Sequence, residues 1–133
     1  MKTDIIHVHT GRREGVFDLT SQCRAFAEGC GDGLLHLFVP HATAGLALLE
    51  TGSHSDDDLL AALADLLPAD SRWRHQHGSP GHGRSHVLPA FIAPFASIPV
   101  LSGALTLGTW QSVVLVDVNV DNPDRQVRLS FVG

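Results

Sequence analysis

The sequence has 133 residues, 44% hydrophobic and 17% charged, enough for one hydrophobic core and too few for two, so a single domain over residues 1–133 is expected. A formal net charge of −5, with nine scattered Lys and Arg, offers no basic stripe for a phosphate backbone, so no nucleic-acid partner is expected. No apolar run approaches the ~20 residues of a membrane span, and Met1-Lys2-Thr3-Asp4 does not open a signal peptide, so the reading is no membrane partner and a cytoplasmic location.

In chain order, Asp4 to His9 alternates in part and predicts a strand, turning at Gly11-Arg12-Arg13 into a second short strand near Val16 to Leu19. Thr20 or Ser21 then caps a helix whose Leu19, Cys23, Phe26, Ala27 and Cys30 mark its apolar face, and Gly31 ends it. Cys23 and Cys30 lie about two turns apart on that helix, roughly 10 Å, which exceeds disulfide reach and reads as small apolar packing in a reduced protein. Leu34 to Val39 predicts a strand ending at Pro40, and the apolar run Gly45 to Glu50 a strand buried on both faces. Ser53 or Ser55 caps a second helix through Leu67, with Asp56, Asp57 and Asp58 placed at its N-terminus by the helix dipole and Pro68 closing it.

From Ala69 to Ser85 the composition turns to Gly, His, Arg, Ser and Pro, the signature of a loop, and Pro89 and Pro94 keep any helical turn between His86 and Phe95 short. Ile98 to Leu101 and Ala104 to Leu107 read as a hairpin on Ser102-Gly103, and Trp110 to Val120 and Gln126 to Val132 as a final pair around Asp121-Asn122-Pro123-Asp124. Period two places Trp110, Ser112, Val114, Val116, Val118 and Val120 on a core face, with Trp110 buried. Gln111, Val113, Leu115, Asp117 and Asn119 fall on the other face, whose polar end suits a solvated edge or a subunit contact. Terminal strands interrupted by helices predict an α+β fold with a large mixed or mainly antiparallel sheet and two main helices.

Nine histidines are many for this length, and His75, His77, His82 and His86 crowd one loop and its exit. His82 and His86 have the i, i+4 spacing that brings two imidazoles to one metal on a helix, although Gly83 weakens that helix. His41 sits in the small-residue turn Pro40-His41-Ala42-Thr43-Ala44-Gly45 between two apolar strands, where a side chain can be presented into a cleft. Glu50 closes an apolar run, an expensive place for a carboxylate unless it is paired, solvated or bound to a cation.

Phe38-Val39-Pro40-His41-Ala42-Thr43-Ala44-Gly45 with Glu50, then His86 upstream of Pro99, Ser102-Gly103, and Leu107-Gly108-Thr109-Trp110-Gln111, resemble the YjbQ family in order and spacing along nearly the whole chain. The resemblance implies a trimeric α+β protein with a large mixed sheet and a secondary thiamine-phosphate synthase activity, with His41, Glu50, His86 and Gln111 at the family's site positions. Ala42 stands where the family usually has a second threonine, Ser53 and Ser55 where it commonly carries aspartates, His82 in place of an asparagine, and Leu88 at a lysine-like position. Loss of hard oxygen donors and gain of an imidazole favour zinc over magnesium as the divalent ion.

Two functions follow. The first is an enzyme joining a pyrimidine diphosphate to a thiazole phosphate, with His41, Glu50 and His86 catalytic and Thr43, Arg84 and Gln111 binding a small phosphorylated substrate. The second is a metal-binding homotrimer, hydrolase-like or non-catalytic, in which His41, His82 and His86 converge on one transition metal with Glu50 as fourth ligand or base.

Overall fold

Apolar and polar residues sort the chain into short strands and two helices. The computed structural model, which describes residues 1–133, has β1 (Lys2–His9), β2 (Gly15–Asp18), α1 (Thr20–Ala27), β3 (Gly33–Phe38), β4 (Ala44–Leu49) and α2 (Ser55–Leu66). There follow two 3-10 segments, His82–His86 and Leu88–Ala90, and then β5 (Phe95–Leu101), β6 (Ala104–Leu105), β7 (Ser112–Asp117) and β8 (Asp124–Val132). The α+β expectation holds. The strands divide into a five-stranded sheet, β1-β8-β3-β5-β6, and a three-stranded sheet, β2-β7-β4. All their pairings are antiparallel.

The two sheets face each other across the main core. Leu35, Leu37, Ile98, Val100, Val127 and Leu129 point inward from the larger sheet, and Val113, Leu115, Ala44 and Leu46 from the smaller. The helix α1 closes one side with Leu19, Cys23, Phe26 and Ala27, the apolar face expected from sequence. Burial, helped by the nearby Asp18 carboxylate, pushes the Cys23 thiol up to about 12, so it is a packing residue and not a nucleophile. On the far side of the smaller sheet, Val114, Val116 and Val118 meet Leu63 of α2, Leu67 just after it, and Leu88. This second core fixes the 3-10 segments beside the end of β7.

Four sequence expectations are corrected. Trp110 is 72% exposed, because it lies in the turn closed by the Gln111 N–H on the Gly108 carbonyl and the period-two strand begins only at Ser112. Both faces of β7 are buried, since a core lies on either side of it, and Asp117 is fully enclosed where a solvated edge or subunit contact was expected. The strands β7 and β8 do not pair with each other: β7 lies between β2 and β4, and β8 between β1 and β3. Neither helix has the expected side-chain cap. The Asp18 carboxylate instead accepts from the Thr20 N–H and hydroxyl ahead of α1, and His54, with φ of 69°, stands before α2.

Candidate metal centre and adjoining cavity

The loop after α2 folds back onto the first 3-10 segment. Trp73 anchors it by donating its indole N–H to the Pro68 carbonyl and by packing against the second core. Gly78 allows the close approach that follows: it has φ of 78°, and a Cβ there would lie 2.7 Å from the Asp121 carboxylate and 3.0 Å from the His82 ring.

The result is a cluster of four imidazoles, His75, His77, His82 and His86, each offering one ring nitrogen within 4.8 Å of the others. The Nε2 atoms of His82 and His86 are 3.1 Å apart and those of His75 and His77 2.5 Å. Nitrogens bound at 2.0–2.1 Å around tetrahedral zinc stand about 3.3 Å apart, so the pairs have the spacing of chelating ligands after small ring rotations. His75 stacks on His86 with ring centroids 3.8 Å apart.

His82 is buried and its tautomer is set by its neighbour. Its Nδ1 lies 2.7 Å from the Asp121 carboxylate, which also accepts from the Ser79 N–H and hydroxyl. With Nδ1–H donating to that carboxylate, the Nε2 lone pair of neutral His82 faces the cluster. The Ser79 backbone hydrogen bond, reinforced by the Ser79 hydroxyl and His82, holds the Asp121 carboxyl below the usual carboxylate range. Desolvation, followed by repulsion from the other imidazoles, lowers His75 and His86 and keeps them in the neutral form that binds metal. An all-imidazole donor set suits zinc, copper or nickel and not magnesium, which demands oxygen.

Three of these histidines, His77, His82 and His86, line a cavity of about 450 Å³ that is also lined by His41, Thr43, Asp121 and Arg125. Arg125 is only 3% exposed and grips the buried Asp117 with two nitrogens, Nε to Oδ2 at 2.6 Å and Nη2 to Oδ1 at 3.1 Å. Its Nη2 also donates to the Thr43 hydroxyl at 2.8 Å.

The expected site residues are only partly brought together. His82 and His86 converge as anticipated. His41 does not join them, because its Nε2 accepts the Gln126 N–H at 2.9 Å, although it lines the same cavity. Burial, with Arg125 nearby, lowers its proton affinity. Thr43 lines the cavity and accepts from Arg125. Arg84 points elsewhere: it is buried, paired with Glu14, and donates Nη1 to the Leu67 carbonyl at 3.2 Å. Glu50 accepts from the Ser53 hydroxyl at the far end of β4, roughly 20 Å of strand from Ala44. Gln111 lies at that same far end, since Leu49 pairs with Ser112, and accepts the Gly108 N–H.

Asp121 and Arg125 escaped the sequence reading, and His75 and His77 entered it only as crowding. The density of histidines in one glycine-rich loop was the available signal. For Arg125 and Asp121 there was none: Asp117 is eight residues before Arg125 but belongs to the other sheet, and His82 is 39 residues before Asp121.

A family model described as "UPF0047 protein YjbQ-like" matches residues 4–133. A UPF0047 protein of Mycobacterium tuberculosis is 58% identical, the match covering 99% of this chain and 98% of that protein. Among solved structures, a YbjQ-like protein of unknown function from Sulfolobus solfataricus superposes with a TM-score of 0.91 at 25% identity, covering 99% of this chain and 96% of that one. A hypothetical protein from Aeropyrum pernix superposes with a TM-score of 0.88 at 32% identity, covering 100% and 99% of the two chains.

Proposed function

We propose that this chain, which belongs to the YjbQ/UPF0047 family, is a transition-metal protein that holds one zinc-class ion through His75, His77, His82 and His86. The observation that carries this reading is the convergence of four ring nitrogens, one of them oriented by a carboxylate. The ion would sit at the wall of a cavity large enough for a small molecule; four protein ligands close a tetrahedral site, so Lewis-acid work of the hydrolase type would need a further coordination position on the cavity side. The alternative, joining a pyrimidine diphosphate to a thiazole phosphate, has less support. Its expected anion contact, Arg84, is committed to Glu14 and Leu67, and Gln111 and Glu50 lie away from the histidines. The free cysteines Cys23 and Cys30 fit the reducing cytoplasm as the compartment, and no helix is long and apolar enough to cross a membrane.

The test is a zinc titration of the chelator-treated full chain in competition with a chromophoric chelator. One zinc per chain is expected, with no displacement by excess magnesium. His82→Asn should bind more weakly. Equal affinity in His82→Asn, or no zinc uptake by the parent, would overturn the reading.

A further inference from the structure

We propose that the cavity beside the four-histidine cluster is an oxyanion site, in which a small phosphoryl or carboxylate group bridges the metal and the free edge of Arg125. The inference rests on the metal reading and adds to it the class of ligand and the residue that selects it.

Arg125 carries the argument. Two of its three guanidinium nitrogens are committed: Nε to Asp117, and Nη2 to Asp117 and Thr43. The third, Nη1, has no protein partner. No buried side-chain nitrogen or oxygen in the molecule lacks one, so Nη1 keeps access to open space although the residue is 97% enclosed. Arg125 lines the same cavity as His77, His82 and His86. Arg125 also borders a second cavity lined by His7, His9 and His41, but Thr43, which holds Nη2, lines the cavity of the histidine cluster and not that second one, so the fixed guanidinium is anchored on the cluster side.

Charge points the same way. Asp117 offsets Arg125, and the Asp121 carboxylate, whose Oδ2 accepts from Ser79 and His82, leaves one negative charge at the cavity wall against the two positive charges of a divalent ion. A divalent ion on four neutral imidazoles therefore leaves the cavity with excess positive charge, which favours an anion. His75 does not line this cavity, so an oxygen approaching from the cavity side meets the metal away from His75 and expands the coordination to five. One ligand oxygen then lies on the metal while another accepts from Nη1.

The test uses the full chain loaded with cobalt(II) in place of zinc, followed by its visible absorption. Inorganic phosphate and sodium acetate are titrated separately, to about ten times the ~1 mM upper range of usual substrate affinities. A saturable spectral change with either anion is expected, and the tighter of the two assigns the group as phosphoryl or carboxylate. Arg125→Lys keeps a cation for Asp117 but removes the fork, and should weaken the anion about 10- to 100-fold while still binding cobalt. Thr43→Val, which only frees Nη2, is the second variant should Arg125→Lys not fold, and several-fold weakening is expected. If cobalt binds and neither anion changes the spectrum, the oxyanion site is wrong and the metal centre stands. An equal response in a folded Arg125→Lys shows that the anion binds the metal alone, and an equal response in Thr43→Val shows that the fixed placement of the guanidinium does not set the affinity; either overturns the bridge as argued. Failure of the parent chain to bind cobalt removes the metal reading and the oxyanion site together.

Discussion

His82 could serve a metal through either ring nitrogen, and the Asp121 carboxylate at 2.7 Å from Nδ1 removes the ambiguity. Asp121→Asn keeps the shape and loses the charge that favours Nδ1–H, so metal affinity should drop about 10- to 100-fold, the usual effect of removing such a partner. Chelator competition measures it, and an unchanged constant in a folded variant would show that Asp121 does not position His82. Protonation gives a second prediction. His41, His75 and His86 take up protons less readily in the folded chain than free histidine does, chiefly through desolvation. The unfolded chain gains protons at about pH 6.5 where the folded chain resists them, so the stability associated with these neutral rings is present above that value. It should be lost progressively as pH falls through 6.5 toward the lowered folded values. The denaturation midpoint of metal-free protein, compared at about pH 7.5 and about pH 5.5, should decrease, and a higher midpoint in acid would contradict the neutral assignment.

Among the elements, α1, α2, β3 and β4 were legible because each carries its own periodicity or bounded apolar run, and each lies within a few residues of its expected limits. The strand β7 was legible as a strand and misread as one-faced. Its unbroken Val113-Val114-Leu115-Val116 is the pattern of burial on both sides, yet Asp117 and Asn119 in the same register suggested a wet face. The Arg125 that neutralises Asp117 comes from another sheet, and sheet membership is set by long-range pairing that no local pattern encodes. The Asp121 contact with His82 was hidden because it joins a 3-10 segment and a loop 39 residues apart in the chain. For β7 the consequence is measurable: Leu115→Ala, fully buried in the main core, should cost about 2–5 kcal/mol in denaturant unfolding. Trp110→Ala, in the turn before the strand, should change monomer stability by no more than about 0.5 kcal/mol. Equal large losses would restore Trp110 to the core face and contradict the turn at Gly108–Gln111.

At the scale of the whole molecule, the outer face of the five-stranded sheet is unusually apolar. Leu34 and Phe38 of β3, Phe95 and Leu101 of β5 and Val132 of β8 are each 44–59% exposed. The pairings Phe38 with Phe95 and Leu34 with Val132 place them as neighbours on one surface. Single exposed apolar residues need no explanation, but a contiguous set across three strands marks an interaction surface. The side chains between them are short or paired, as with His36, whose Nδ1 lies 2.8 Å from the Ser97 hydroxyl and whose ring stacks on Phe95. Arg128, opposite Phe38 on β8, shares this face, and its guanidinium donates to the Thr3 hydroxyl toward β1 at the edge of the apolar set. We propose that the apolar set closes against copies of itself as a homotrimer, the assembly that the family resemblance implies. Light scattering at low micromolar concentration should then return about three times the 14.2 kDa chain mass. Phe95→Asp places a carboxylate among the exposed apolar side chains of that surface and should shift the mass toward one chain while leaving the far-ultraviolet dichroism of the fold intact. If the parent protein scatters as a 14.2 kDa monomer, the trimer is wrong. If it scatters as a trimer that Phe95→Asp leaves unaltered, the copies meet elsewhere, and the exposed Trp110 end of the smaller sheet becomes the surface to mutate next.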